Sequence, residues 1–112
     1  MCSIKIATRD ELHIIHLRQV AYFKADGHYT HVYFLNGSKL LVPNGLSKVH
    51  EKILAAGCKD YIPMWRSLLV NKSAICSLYP TKETILIHGS NGQMISVRIP
   101  KSVLRKAMAD LF

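Results

Sequence analysis

Residues 20–37 read VAYFKADGHYTHVYFLNG: two runs rich in aromatic and β-branched residues, parted by Asp26-Gly27-His28 and closed by Asn36-Gly37. Residues of that type on short, punctuated runs suit a pleated, half-buried surface, so both runs predict strands. Asn36-Gly37 then leads into SKLLV and is the strongest hairpin signal in the chain, because a type I′ turn needs positive φ at both central residues. Gly27 and Gly37 are read as turn glycines rather than as parts of a phosphate cradle.

Upstream, CSIKIAT and LHIIHL carry the same short apolar signals. Downstream the period changes once, after Pro43-Asn44. Leu46, Val49, Ile53 and Leu54 fall on one helical stripe, Lys48, Glu51 and Lys52 lie off it, and Gly57 supplies a stop, which predicts a helix of about three turns. Strand signals resume in DYIPMW, RSLLVN, SAICSLY, TILIH and QMISVRI, with GSNG at 89–92 as a turn. Pro100 ends the last strand, and Val103, Leu104, Ala107 and Leu111 repeat at helical spacing. The expected fold class is mainly β: small packed antiparallel sheets of about eight to ten short strands, one internal α-helix and a short C-terminal helix. No linker, repeat or low-complexity segment divides it, so residues 1–112 are expected to form a single domain.

With 112 residues, 49% of them apolar, the chain has enough material for a core without metal or cross-links. Fifteen Lys and Arg against seven Asp and Glu give a net charge of +8, which favours an anionic partner such as nucleic acid. Cys2, Cys58 and Cys76 fit neither a disulfide framework nor a zinc knuckle, and are expected to be small buried hydrophobes in a reducing compartment. The N-terminus offers no continuous apolar stretch of the kind a signal peptide or membrane span needs, so the chain reads as cytoplasmic.

Enzymatic motifs are missing: there is no nucleophile elbow, glycine-rich phosphate loop or framed acidic pair, and no cofactor is implied. His13/His16 and His28/His31 have His-x-x-His spacing, but residues three apart on a strand point to opposite faces, so no metal site is expected. Cations at strand ends are better material. In QMISVRI, Ile95, Val97 and Ile99 share one face, which turns Arg98 to solvent beside Lys101. Arg66 precedes the apolar run Leu68-Leu69-Val70, and Asn71-Lys72 follow it. Solubilising surface charge accounts equally well for any one of these cations taken alone.

Taken together, VAYFKADGHYTHVYFLNG, a helix from Leu46, RSLLVNKSAI and NGQMISVRIPKSVLRKAM resemble LytTR DNA-binding domains, the output modules of bacterial response regulators, over roughly residues 12 to 111. The resemblance implies a non-enzymatic transcription regulator that contacts successive major grooves of double-stranded DNA through loops and strand ends. It further implies binding to direct repeats as two copies, with a homodimer forming on the DNA, and no membrane partner. Carried over by position, base or phosphate contacts fall on Thr30, Arg66 and Arg98, with His28, Asn71, Lys72 and Lys101 as phosphate or supporting contacts. On this reading the apolar run anchors a strand whose two ends present Arg66 and Lys72 to the groove.

The chain departs from that pattern at Pro63 and Trp65, where family members usually carry Arg and His, and at His28, usually Asn. Trp65 either packs on a sugar face, supports Arg66 or fills a gap between sheets. The receiver domain that commonly precedes such modules does not appear in these residues, so the chain is expected to be an isolated output domain or a stand-alone regulator. An RNA-binding module using Tyr29, Tyr33 or Trp65 for stacking, or a protein-interaction module pairing by its strand edges, are the competing readings.

Overall fold

The computed structural model describes residues 2–112 and contains ten strands in three antiparallel sheets with two α-helices, as the sequence pattern predicts. Strands β1 (Ser3–Ala7) and β2 (Leu12–His16) form a hairpin. The central sheet holds β3 (Val20–Asp26), β4 (Tyr29–Phe34), β5 (Lys39–Val42), β6 (Tyr61–Trp65) and β7 (Leu68–Asn71), in the order β5-β4-β3-β7-β6. A third sheet joins β8 (Ile75–Tyr79), β9 (Thr84–His88) and β10 (Met94–Arg98). Helix α1 (Leu46–Ala55) follows β5, and α2 (Lys101–Asp110) closes the chain.

The central sheet is covered on both faces, which explains the apolar run at 68–70. All four residues of β7 are buried, because alternate side chains enter different cores. On one face Phe23, Val32, Val42 and Leu69 pack with Val49 and Ile53 of α1 and with Ile4, Ile6 and Ile15 of the β1–β2 hairpin. On the other, Leu68 and Val70 pack with Ile85, Ile87 and Val97 of the third sheet and Leu104 of α2.

Two expectations need correction. The Asn36-Gly37 hairpin exists, but only Gly37 is left-handed, at φ 89°. Its N–H donates to Phe34 O at 3.0 Å, and Phe34 N–H donates to Ser38 O at 2.9 Å, which makes a three-residue loop with a glycine bulge instead of a type I′ turn. Asn36 uses its carboxamide oxygen to accept from Ser38 N–H and Oγ, a local bond that holds it out of the left-handed region.

The second correction concerns the cysteines. Cys2 and Cys58 are joined by a disulfide across 56 positions, and Cys76 is exposed rather than buried. The fold brings the start of β1 against the turn after α1, with Cα atoms 6.0 Å apart, a distance that spacing along the chain does not reveal.

Candidate nucleic-acid interface

Among the many exposed cations, those expected from sequence to contact DNA include two groups, each built by a different part of the fold. The first stands at one end of the central sheet. Between β3 and β4 the chain reverses over Gly27-His28, with Gly27 at φ 60° and Asp26 paired to Tyr29. A positive φ at the first turn residue is what a type II′ hairpin needs, and glycine takes it without steric cost. His28, the second turn residue, is left exposed at the tip.

Beside it, Arg66-Ser67 makes the turn between β6 and β7, and Ala25 N–H donates to Ser67 O at 2.9 Å, locking the two hairpins side by side. A bulge at Met64 precedes Trp65 and Arg66 and re-aims both, because an extra residue breaks the alternation of side chains. Trp65 is 43% exposed on an edge strand, so it fills no gap between sheets. Pro63 lies on the same edge strand, where a missing N–H is tolerated.

An open cleft of about 460 Å³ runs between these turns and the start of α1, lined by His28, Asn44, Gly45, Ser47, Lys48 and Arg66 among others. Gly45 caps the helix without a side-chain bond, and no acidic residue sits in its first turn. The positive end of the helix therefore faces the same cleft as Arg66, His28 and Lys48. Lys48 and this uncapped start were not singled out from sequence as site features. The absence of any Asp or Glu from Pro43 through Lys48 was the available signal.

Thr30 is not on this surface. It is fully buried, and its hydroxyl donates to Asn44 O at 2.7 Å, fixing the loop that forms one wall of the cleft. Asn71 is likewise buried: its amide donates to Val20 O at 3.0 Å, and its oxygen accepts from Ser73 N–H and Oγ. Both were expected as contact residues, and both instead satisfy internal backbone groups. Lys72 is exposed but lies at the other end of β7 from Arg66, six residues and about 20 Å along an extended chain. Its ammonium sits 5.2 Å from the ring centroid of Phe112, so the two ends of the apolar run do not face one groove together.

The second group lies where β10 meets α2. Arg98 is exposed, as the alternation in QMISVRI predicts, with Val97 and Ile99 buried beneath it. Its Nη2 donates to Glu83 Oε1 at 3.1 Å. The other oxygen of Glu83 accepts from the backbone N–H of Lys101 at 3.1 Å, at the start of α2. Lys101 keeps its side chain exposed. By contrast, no ion pair holds Arg66 among the described residues.

Histidines 13 and 31 bond Glu11 and Asp26 respectively, and no group of three or more His, Cys, Asp or Glu comes together among the described residues. None of the helices described is long and apolar enough to cross a membrane.

Comparison with known proteins gives two findings. The family model for the LytTr DNA-binding domain matches residues 10–108. Among solved structures, the chain is similar to one from Bacillus cereus, the LytTr DNA-binding domain of a protein named as a methyl-accepting/DNA response regulator. Identity is 26%, the match covers 98% of this chain and 97% of that one, and the TM-score is 0.59. No curated protein matches.

Proposed function

The chain belongs to the family of LytTr DNA-binding domains, and on that footing we propose that it is a sequence-specific regulator of bacterial transcription acting in the cytoplasm. Turns and strand ends enter successive major grooves of a duplex, with Arg66 and Arg98 reading bases, His28 and Lys101 holding phosphates, and Lys72 contributing from the far end of β7. Two copies occupy direct repeats, as a homodimer formed on the DNA.

The observation that carries this reading is the pair of separate, exposed cationic groups, one on the turns at the end of the central sheet and one where β10 meets α2. Both groups rest on covered sheets, so their backbones are fixed before DNA arrives and little ordering opposes binding. Lys48 and the start of α1 add a positive wall suited to a phosphate beside Arg66. In a reducing cytoplasm, Cys2 and Cys58 would be held as thiols.

The test is selection from a random duplex library, then titration of the recovered sequence and a scrambled duplex at two salt concentrations. Short repeats about one or two helical turns apart, bound at least about 1000-fold tighter than the scramble, are the expected result. Binding that merely falls with salt, without any recovered motif, would sink sequence-specific readout. Tyr29 and Trp65 are 50% and 43% exposed, which favours a second reading, base stacking of single strands; a single-stranded competitor that wins over every duplex would establish it.

A further inference from the structure

Among the described residues, Glu83 is the only non-glycine in the left-handed region, at φ 50° and ψ 47°. Glycine or asparagine would adopt that conformation at lower cost, so a glutamate there points to a task for its side chain. Its backbone is engaged on both sides: Glu83 N–H donates to Pro80 O, and Ile99 N–H donates to Glu83 O, each at 3.0 Å. The carboxylate then divides its two oxygens between the Arg98 guanidinium and the Lys101 amide. One fixed residue thereby ties the tip of β10 to the beginning of α2.

We infer that Glu83 is a positioning residue that sets sequence discrimination through Arg98, an inference that rests on the reading of Arg98 as a base contact. A guanidinium carries five N–H donors in a rigid fork, and the carboxylate takes one of them, on Nη2. The remaining donors are free to meet the O6 and N7 acceptors of guanine, with the guanidinium biased toward one orientation by its bond to Glu83. The same negative charge opposes a second use of Arg98, as a general phosphate contact, because a backbone phosphate approaching the fork meets the carboxylate. Glu83 therefore lowers non-specific affinity while preserving the base contact. Being near the surface, the pair acts by orientation more than by ion-pair strength.

The experiment compares wild type, Glu83→Gln, Glu83→Gly, Arg98→Ala and the Glu83→Gln/Arg98→Ala double variant on the selected duplex and its scramble. Thermal melting is followed in parallel. Glu83→Gln removes the charge and keeps the shape; Glu83→Gly removes the carboxylate while relieving the backbone. Both are expected to raise scramble affinity and to lower the ratio of selected to scrambled binding by about three- to tenfold. In the Arg98→Ala background the same change should leave the ratio where Arg98→Ala alone puts it. An unchanged ratio in both single variants overturns the inference, as does an equal fall without Arg98, which would mark a merely structural role. If wild type itself prefers no sequence, the base-reading assignment fails first, and the inference with it.

Discussion

The two faces of the central sheet build their cationic groups by opposite means. On the α1 face the supports are buried hydrogen bonds, from the Thr30 hydroxyl to Asn44 O and from the Tyr61 hydroxyl to Leu17 O and Val20 O, with the Cys2–Cys58 disulfide added under oxidising conditions. Among the described residues, the Arg66 group above them has no ion pair. On the α2 face the core is built of Leu68, Val70, Ile85, Ile87, Val97 and Leu104, and the polar support, Glu83, lies near the surface beside the arginine it bonds. A cation placed by its backbone remains free to bind anything negative, whereas one held by a carboxylate has already given up a donor. The first group keeps its donors unengaged by carboxylates among the described residues, while in the second Arg98 has given one donor to Glu83.

That division can be broken at its strongest support first. Reducing the disulfide, or replacing Cys2 with Ser, should cost about 2–4 kcal/mol of stability, since it releases a closed loop of more than fifty residues. Calorimetry with and without reductant measures it, and an unchanged melting temperature would show that the cross-link does not clamp the α1 face.

Thr30→Val should cost about 1–3 kcal/mol, because Asn44 O loses its buried donor, and should also weaken DNA binding as the cleft wall loosens. Thr30→Ser keeps the hydroxyl and should retain most of both. A Val variant with full affinity would detach the wall from the interface.

Arg98→Ala should cost about 1–3 kcal/mol on the selected duplex and relax preference at one base position. Equal losses on every sequence would erase the contrast between the groups. Lys101→Ala should weaken all duplexes alike and lower the salt slope by about one.

A last test uses pH. Burial pushes the Tyr22 phenol up to about 12, with Tyr33 adding to the shift, and burial with the Asp60 charge raises Tyr61 further. Both folded-state values lie above the unfolded value near 10, so the protonated forms are favoured by folding. Their contribution is complete below pH 10 and falls as pH climbs from 10 toward 12. Tyr61→Phe should flatten that alkaline decline in a pH series of melting curves; an identical decline would assign it elsewhere.

How much of this was legible in the sequence follows from the range of each interaction. Strand alternation, the Val49 and Ile53 part of the α1 stripe and the exposure of Arg98 depend on neighbours a few residues apart, and the sequence pattern predicts all three, although Leu54, expected on the same stripe, is exposed. Thr30 and Asn71 look like surface polar residues because their partners, Asn44 and Val20, become neighbours only through folding. The disulfide and the Glu83 contacts, spanning 56, 15 and 18 positions, were hidden for the same reason.

Pro63 has a consequence beyond its place on β6. The central sheet ends in two short strands, β5 with four residues and β6 with five, the latter interrupted by Pro63 and a bulge. Edges of that kind are poor templates for strand addition. At the central sheet, strand exchange between neighbouring copies is thereby disfavoured.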